Sequence, residues 1–279
     1  MTDPCIFKLK NISKTFRNDK ALFFNGTLCI PKAQLTFITG QSGVGKSTLL
    51  NQLSLIDLAD QKTDDSSEMC FIPEPGQKID YFELYRKEAR WLKRPFTDPC
   101  ASIRRQYFGF LPQQGHLLNM FSTQENLSLV AFLRNQQKHS PIEHEIHEIL
   151  SIVGFQGEEL QKRVKFSTGQ LSGGEAQRIA LARTILSYPK VIFVDEPTTF
   201  MDEALVEKTM EVLAKAVLLK DCTVIIVTHE YDKLIQLLQQ HQFEKTLLIN
   251  KCTLNRSEAS KNTVDISCTS DKLNSEQPR

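Results

Sequence analysis

The sequence GQSGVGKS at residues 40–47 has the residue types and spacing of a loop that binds phosphate groups. Its glycines allow backbone amides to curl around an anion, and a following helix presents its positive N-terminal end to that anion. Lys46 is suited to bridging the β- and γ-phosphates of a nucleotide, and the Ser47 hydroxyl to binding Mg²⁺. The alternative, a glycine-rich turn that binds nothing, is disfavoured by the lysine and by the flanking strand and helix patterns. The residues expected to contact the nucleotide are Gly40, Gln41, Ser42, Gly43, Val44, Gly45, Lys46, Ser47 and Thr48.

Two acidic residues, Asp195 and Glu196, follow the apolar run at 191–194, and Pro197 ends that run. Adjacent residues of a strand point to opposite faces, so the two carboxylates must have different tasks. We expect Asp195 to hold Mg²⁺ through a water molecule, and Glu196 to orient or deprotonate an attacking water. An exposed acidic pair without function is the alternative. A buried acid without a ligand is costly, which favours the functional interpretation.

A second helix N-terminus suited to an anion is predicted at residues 171–175, with the sequence LSGGE. Ser172 and Gly173 precede an apolar helical pattern there, so backbone amides of the first turn would point at the anion. One chain would then carry two phosphate sites but the chemistry for only one nucleotide.

The elements that must position these residues are three short apolar runs, at residues 35–39, 191–194 and 224–228. Each ends at a glycine, a carboxylate or a histidine, as buried parallel strands with functional residues at their carboxyl ends do. Helical patterns at residues 47–56, 174–186 and 203–219 alternate with them and predict a parallel α/β sheet. A polar, acidic loop at 57–68 and a Pro/Gly cluster after it predict a small peripheral sheet.

The composition excludes several classes of function. The chain has 279 residues and a formal net charge of +1, so no global field attracts nucleic acid or an acidic membrane. Its apolar runs are far shorter than the roughly 20 residues that cross a bilayer, and the first residues do not resemble a secretory signal. We therefore expect a cytosolic protein. The seven cysteines have spacings that indicate neither a disulfide framework nor a zinc ribbon.

The LSGGE stretch resembles the signature motif of ATP-binding cassette (ABC) ATPases, and the order of the surrounding motifs matches that family over roughly residues 6–248. The resemblance implies an ABC ATPase fold of the P-loop class, with a parallel core sheet, a small antiparallel sheet and a helical subdomain. It also implies a head-to-tail homodimer in which the signature of one copy closes over the γ-phosphate of ATP held by the other. The signature residues are Ser172, Gly173, Gly174 and Glu175.

The resemblance assigns roles to four further residues. Gln113 is similar to the glutamine that contacts Mg²⁺ and the attacking water, and His229 to the histidine that contacts the γ-phosphate. Asp202 resembles the aspartate that crosses the dimer interface, and Phe16 an aromatic residue that stacks on adenine. The alternatives are an ordinary strand-end histidine for His229 and a buried core side chain for Phe16.

The domain prediction is an ABC ATPase domain at residues 1–255, with a helical subdomain at about 114–185, and a disordered tail at 256–279 because that segment is mostly polar. The span from Lys46 to Gln113 is longer than in the similar lipoprotein-releasing, macrolide-export and FtsE-like group, which indicates an inserted segment at about 77–101. Phe82, Tyr85 and Leu92 there have helical spacing. A helix packed on the domain, a docking element for a partner and a basic membrane-surface helix remain open.

The resemblance implies an ATP-hydrolysing subunit of an ABC transporter, with ATP and Mg²⁺ as its nucleotide and metal. Because the chain lacks a spanning segment, it needs a separate transmembrane permease subunit, which would hold it at the inner face of the cell membrane. Two alternatives stay open: an ABC ATPase that drives a membrane partner without transport, and a soluble ABC ATPase that acts on ribosomes or DNA. A nucleic-acid partner is not expected.

Overall fold

The computed structural model describes residues 4–16, 21–60, 66–84, 86, 98–111, 117–134, 142–155, 157, 164–198, 202–241, 246–258, 260 and 262–273. Within these ranges, the chain folds into strands and helices that alternate singly from residue 173 to residue 256. The strands are β1 (Cys5–Thr15), β2 (Ala21–Pro31), β3 (Leu35–Gly40), β4 (Glu68–Glu74), β5 (Gln77–Asp80), β6 (Phe108–Leu111), β7 (Val191–Asp195), β8 (Thr223–Val227), β9 (Leu247–Arg256) and β10 (Thr263–Leu273). The helices are α1 (Lys46–Leu53), α2 (Pro99–Tyr107), α3 (Thr123–Arg134), α4 (Ile142–Ile152), α5 (Gly173–Leu186), α6 (Glu203–Lys220) and α7 (Tyr231–Gln240).

These strands form one sheet in the order β5-β4-β1-β2-β10-β9-β3-β8-β7-β6. The run from β9 to β6 is parallel, and the pairs among β1, β2, β4 and β5 are antiparallel. The predicted α/β fold, with a parallel core and a smaller antiparallel part, is confirmed. The antiparallel part is continuous with the core because β10 pairs with β2 on one side and with β9 on the other.

The core strands bury both faces, which explains why their sequences read as unbroken apolar runs. Along β3, Phe37 faces a cluster formed with α4, α5 and α6, whereas Ile38 faces a cluster formed with α1 and the antiparallel strands. Strands β7 and β8 divide their side chains between the same two clusters. Helices α1 and α5 therefore pack on opposite faces of the sheet.

The beginning of the predicted inserted segment packs into the core. Asp80 Oδ1 accepts hydrogen bonds from the backbone N–H groups of Phe82 and Glu83, at 2.8 and 3.3 Å, and so caps a helical turn that starts at residue 81. The Tyr81 hydroxyl donates to the carbonyl oxygen of Leu53, and Tyr81 and Phe82 are both buried. This beginning favours the packed helix among the three interpretations. Residues 85 and 87–97 lie outside the described part of the chain.

The prediction of a disordered tail at 256–279 is wrong for residues 263–273, which form β10. Its partner β9 runs antiparallel to it along its whole length. Val264 is fully buried and Ile266 is partly buried against the same cluster, so a short alternation of apolar residues is enough to bury one end of this polar strand. Residues 274–279 lie outside the described ranges.

A disulfide joins two neighbouring strands of the antiparallel part of the sheet. Cys5 and Cys29 form a disulfide between β1 and β2, a pairing that the cysteine spacings did not indicate. The reason is that antiparallel pairing brings together residues that are far apart along the chain, which a spacing rule cannot detect.

Among the helices of the described ranges, none has the length and apolar character needed to cross a membrane.

Candidate active site

The candidate site lies at the carboxyl ends of three adjacent parallel strands, β3, β8 and β7. Asp195 of β7 is in register with Val227 of β8, and the backbone N–H of Glu196 donates to the Val227 carbonyl oxygen at 2.9 Å. The backbone N–H of Thr228 donates to the carbonyl oxygen of Ile38 at 3.1 Å. The phosphate-binding loop, the acidic pair and His229 therefore emerge side by side, although they are far apart in the sequence.

The phosphate-binding loop depends on two glycines that have positive φ angles. A Cβ atom on Gly40, where φ is 143°, would lie 2.4 Å from the Leu254 carbonyl oxygen. One on Gly45, where φ is 116°, would lie 2.6 Å from the Leu22 side chain. Any larger residue at these two positions would therefore distort the loop.

The loop leaves donors available to an anion. Gly45 is the N-cap of α1 and supplies no side-chain hydrogen bond, so no N-cap side chain satisfies the amides of the first turn. Lys46 is 8% exposed, and its Nζ donates to the carbonyl oxygens of Gly40 and Gln41 at 3.0 and 3.3 Å. These neutral carbonyls hold the ammonium group over the loop, where an anion would be a stronger partner.

Glu196 and His229 form a direct pair. The Glu196 Oε2 atom lies 2.9 Å from Nδ1 of His229 and also accepts a hydrogen bond of 3.4 Å from its backbone N–H. Glu196 has a φ of 44°, in the left-handed region, immediately after the last residue of β7. Such backbone strain persists where surrounding bonds over-determine it, here through the bond to Val227. The Glu196 side chain is 20% exposed and the His229 side chain 60%, so solvent reaches both partners of the pair.

Asp195 points into the site from the adjacent position. Its Oδ1 atom is buried without a hydrogen-bond partner in the described part of the chain. Burial raises the pKa of this carboxyl, the Glu196 charge raises it further, and the Lys46 charge opposes both effects. A hard cation that prefers oxygen ligands would satisfy this orphaned atom and favour the charged form of the carboxyl. Together with the exposed Ser47 at the start of α1, Asp195 fits a Mg²⁺ ion.

The LSGGE stretch begins α5 with a complete capping box. Ser172 Oγ accepts from the backbone N–H of Glu175 at 3.3 Å, and the Glu175 carboxylate accepts from the backbone N–H of Ser172 at 2.8 Å. Ser172 and Gly173 are exposed, whereas Glu175 is buried. Glu175 therefore holds the helix terminus, and the glycine amides and the Ser172 hydroxyl remain accessible.

The other expected site residues have different placements. Asp202 is the N-cap of α6, where its Oδ1 accepts from the backbone N–H of Leu205 at 2.8 Å. Phe16 is 40% exposed just after β1, so the alternative of a buried core side chain is wrong. Thr48 is half-buried on α1. Gln113 falls within residues 112–116, which lie outside the described part of the chain.

One residue beside the loop was not expected from the sequence. Arg256, at the end of β9, donates from Nη2 to the carbonyl oxygen of Gly43 at 2.8 Å. No motif marks this arginine. The alternation of buried and partly exposed residues along β9 is the signal from which its strand could have been predicted.

Comparisons with known proteins agree with this geometry. A family model described as ABC transporter matches residues 23–199. The chain belongs to the ABC transporter family. It is an ABC ATPase, the ATP-hydrolysing subunit of a transporter, as the sequence predicts.

Similar members of the family include transporter subunits and a solved dimer. The ATP-binding protein LolD of the lipoprotein-releasing system from Ehrlichia ruminantium (strain Gardel) is 32% identical over 240 residues, which are 83% of this chain and 94% of that protein. The macrolide export ATP-binding/permease protein MacB from Photorhabdus laumondii is 33% identical over 204 residues, 73% of this chain and 27% of that protein. The dimeric post-hydrolysis structure of the ATP-binding cassette MJ0796, bound to ADP and Pi, has a TM-score of 0.67 and 25% identity, and the match covers 96% of this chain and 98% of that one.

Proposed function

We propose that two copies of this chain hydrolyse two ATP molecules between them, each held by the loop of one copy and the LSGGE stretch of the other. The observation that carries the proposal is the contact between Glu196 and His229 beside the phosphate-binding loop. The Glu196 carboxylate can accept a proton from water, and His229 can hold that carboxylate in place. Both residues lie at the strand ends where we expect the terminal phosphate.

The need for two copies is supported by the packing of α1 and α5. These helices contribute to different core clusters on opposite faces of the sheet, and each begins at glycines suited to an anion. The two N-termini of one copy therefore belong to helices on opposite faces of its sheet, and a second copy in head-to-tail orientation would bring an α5 terminus to the loop. The similar MJ0796 cassette is a dimer bound to ADP and Pi, which supports a dimer that binds nucleotide for this chain.

Catalysis consists mainly of positioning and charge neutralisation. Lys46 exchanges its carbonyl partners for phosphate oxygens, and the amides at the start of α1 hold the same group. Glu196 orients the attacking water and accepts its proton, while His229 fixes the position of the Glu196 carboxylate. Ser47 and Asp195 are the described residues that would hold a Mg²⁺ ion, with Gln113 as a further expected ligand, and the ion would supply positive charge that offsets the charge of the phosphate groups.

The decisive experiment replaces Glu196 with Gln. The amide keeps the size of the side chain but cannot accept the water proton, so we expect ATP binding to persist and turnover to fall by at least about a hundredfold. Unhydrolysed ATP should then trap the dimer, which size-exclusion chromatography with light scattering would detect. Glu148→Gln, at an exposed position on α4, is the matched control and should behave as the wild type. Wild-type turnover in Glu196→Gln would exclude Glu196 from the mechanism.

We further propose that a membrane permease subunit docks on an exposed apolar patch formed by Leu118, Met120, Phe121 and Phe166, which hydrogen bonds between residues 118–123 and 166–168 hold together. Met120 is 95% exposed, although its loop is firmly held. The buried Asn126 donates to the carbonyl oxygens of Leu118 and Ser122 at 3.1 and 3.0 Å, and it accepts from the Leu118 N–H at 2.9 Å. A rigid loop that presents an apolar side chain to solvent is typical of an interaction surface.

This surface would keep the chain at the inner face of the cell membrane through its partner. Met120→Lys should move the protein from the membrane pellet to the supernatant of lysed cells that also produce the permease, because a charge would be buried in the interface. Basal ATP turnover of the purified chain should not change. Leu219→Lys is the control, since Leu219 is 67% exposed on α6 and lies outside the patch. Equal sedimentation of the two variants would contradict this docking surface.

A further inference from the structure

Two cysteines lie directly opposite each other in the hairpin formed by β9 and β10. Cys252 pairs with Cys268 in the antiparallel register, and their Sγ atoms are 2.9 Å apart. Residues in direct cross-strand register have Cα atoms about 4.5–5.5 Å apart, which is within the range that disulfides span. A disulfide has an S–S distance of about 2.0 Å, so only a small movement of the two side chains separates this contact from a bond.

The two thiols differ in access and in acidity. Cys252 is completely buried, whereas Cys268 is exposed. The thiol of Cys268 donates to the Cys252 sulfur when both are protonated. When Cys268 ionises, the Cys252 thiol donates instead, which lowers the pKa of Cys268 and raises that of Cys252. An exposed thiolate beside a buried thiol is the arrangement of an attacking and a resolving cysteine.

The other cysteines in the chain do not share this environment. Cys70, Cys100 and Cys222 are buried, and Cys5 and Cys29 are bonded to each other. Burial raises the pKa of the Cys70 thiol to about 11 and that of Cys222 to about 12. A small oxidant in solution should therefore react first at Cys268.

The pair also lies next to the nucleotide site. Cys252 belongs to the same buried cluster as Val44 and Leu49 of the loop and α1, and it is in register with Ile38 of β3. Two residues further along β9, the Leu254 carbonyl oxygen abuts Gly40 so closely that it excludes a Cβ there. Arg256 then bonds the carbonyl oxygen of Gly43. Strand β9 thus supports the phosphate-binding loop at two points.

We propose that Cys252 and Cys268 are a thiol–disulfide modification site, and that its oxidation staples the hairpin that supports the phosphate-binding loop. The oxidant is a small disulfide, RSSR. The Cys268 thiolate attacks one of its sulfurs, forms a mixed disulfide and releases RS⁻. Cys252 then attacks Sγ of Cys268 while its proton passes to the departing sulfur, which forms the Cys252–Cys268 bond and releases the second half of the oxidant as RSH. The two cysteines are oxidised by two electrons, RSSR is reduced to two thiols, and excess thiol reverses the reaction.

The disulfide would form in β10, the strand that connects the antiparallel part of the sheet to the parallel core. Among the described residues, β10 pairs with β2 at residues 263–265, whereas it pairs with β9 at residues 264–273. A disulfide between β9 and β10 would fix the pairing of these two strands, and so keep Arg256 of β9 in contact with the phosphate-binding loop. Reduced protein would hold the hairpin by hydrogen bonds and packing alone.

The first test follows the chemistry with oxidised glutathione and the full-length purified chain. In the wild type, intact-mass and peptide analysis should find a Cys252–Cys268 bond and no lasting glutathione adduct. Cys252→Ser should accumulate one adduct at Cys268, because no resolving thiol remains. Cys268→Ser should stay unmodified at Cys252, because that sulfur is buried. A lasting adduct at Cys268 of the wild type, or an unreactive Cys268 in Cys252→Ser, would overturn the proposal.

The second test measures the consequence of the bond. Oxidation should raise the midpoint of thermal unfolding by about 5 °C more in the wild type than in Cys268→Ser, and dithiothreitol should reverse the difference. The comparison cancels any contribution of Cys5–Cys29, which both proteins contain. Amide hydrogen exchange of residues 40–47 should become slower on oxidation in the wild type only. Equal midpoint shifts in the two proteins, or unchanged exchange in the loop, would show that no staple supports the nucleotide site.

Discussion

Helices α1 and α5 both begin at glycines, yet their N-termini are built differently. At α1 the N-cap is Gly45 in a left-handed conformation, and it supplies no side-chain hydrogen bond. At α5 the N-cap is Ser172, and a complete capping box with Glu175 closes the terminus. The first terminus has donors without side-chain partners and a lysine folded over them, whereas the second is stable before any ligand arrives.

The difference indicates that the two helix N-termini contribute to different steps of ATP binding and hydrolysis. An uncapped terminus is unfavourable until an anion satisfies it, so α1 with Lys46 should supply most of the nucleotide affinity of a single copy. A capped terminus contributes a fixed, exposed surface, so α5 should matter when the second copy closes. Changes at α1 should therefore abolish binding, and changes at α5 should slow turnover while sparing binding.

The largest effect is expected for Lys46→Ala. Removing the ammonium group deletes charge-assisted hydrogen bonds to phosphate, so ATP affinity of the isolated chain should fall by about a hundredfold or more. Equilibrium binding of a fluorescent ATP analogue measures this loss. Lys233→Ala removes an exposed lysine from α7 and should bind as the wild type does. Equal affinities for the two variants would mean that α1 does not dominate binding.

A smaller effect is expected for Ser172→Ala. Loss of the capping hydroxyl should cost about 1 kcal/mol and lower the unfolding midpoint by about 2–4 °C. ATP binding by the isolated chain should remain within about twofold, whereas turnover should fall about tenfold because the exposed terminus no longer offers its hydroxyl. Ser151→Ala, at an exposed position on α4, controls for loss of a surface hydroxyl. A parallel loss of binding in Ser172→Ala would abolish the contrast between the two helices.

The smallest effect is expected for Asp195→Asn in the absence of nucleotide and Mg²⁺. The folded-state pKa of Asp195 is raised above its ordinary value of 3.8, so the folded state binds this proton more tightly than the unfolded state. The stability that protonation contributes is present at low pH and is lost as the pH rises through the raised pKa. The asparagine cannot ionise and avoids that loss.

Thermal unfolding at several pH values checks this prediction. At pH 7 the Asp195→Asn variant should unfold at a higher temperature than the wild type, by less than the shift expected for Ser172→Ala, and the gap should close as the pH falls toward the ordinary pKa of an aspartate. With Mg²⁺ and ATP the order should reverse, because only the carboxylate attracts the cation. A gap that is independent of pH would show that ionisation of Asp195 carries no penalty in the folded state.

The sequence predicted those parts of the molecule in which the type of each residue reflects its place in a strand or helix. The runs that became β3, β7 and β8 are apolar because both of their faces are buried, and their polar ends mark the site. The terminus of α5 was predictable because the Ser172 and Glu175 spacing is itself a capping signal. Sequence reasoning could therefore locate Asp195 and Glu196, although not the strained φ of Glu196 or its 2.9 Å contact with His229.

Strand β10 of the C-terminal hairpin was missed because its residues are mostly polar. Most side chains of β10 are at least partly exposed, and the strand is held mainly by backbone hydrogen bonds to β9, which leave little trace in composition. The disulfide between Cys5 and Cys29 and the contact of Arg256 with Gly43 were missed for a related reason. Each depends on which strands are neighbours, and no local pattern encodes that order.

The order of the strands in the sheet affects how the protein folds during its synthesis on the ribosome. Strands β2 and β3 follow one another closely in the chain, yet β10 and β9 lie between them in the sheet. Translation adds about 5–20 residues per second, so the early strands must wait more than ten seconds for their neighbours, with unpaired edges open to other chains. The protein thus needs shielding during synthesis, most of all at the edges of β2 and β3, until the last strands emerge.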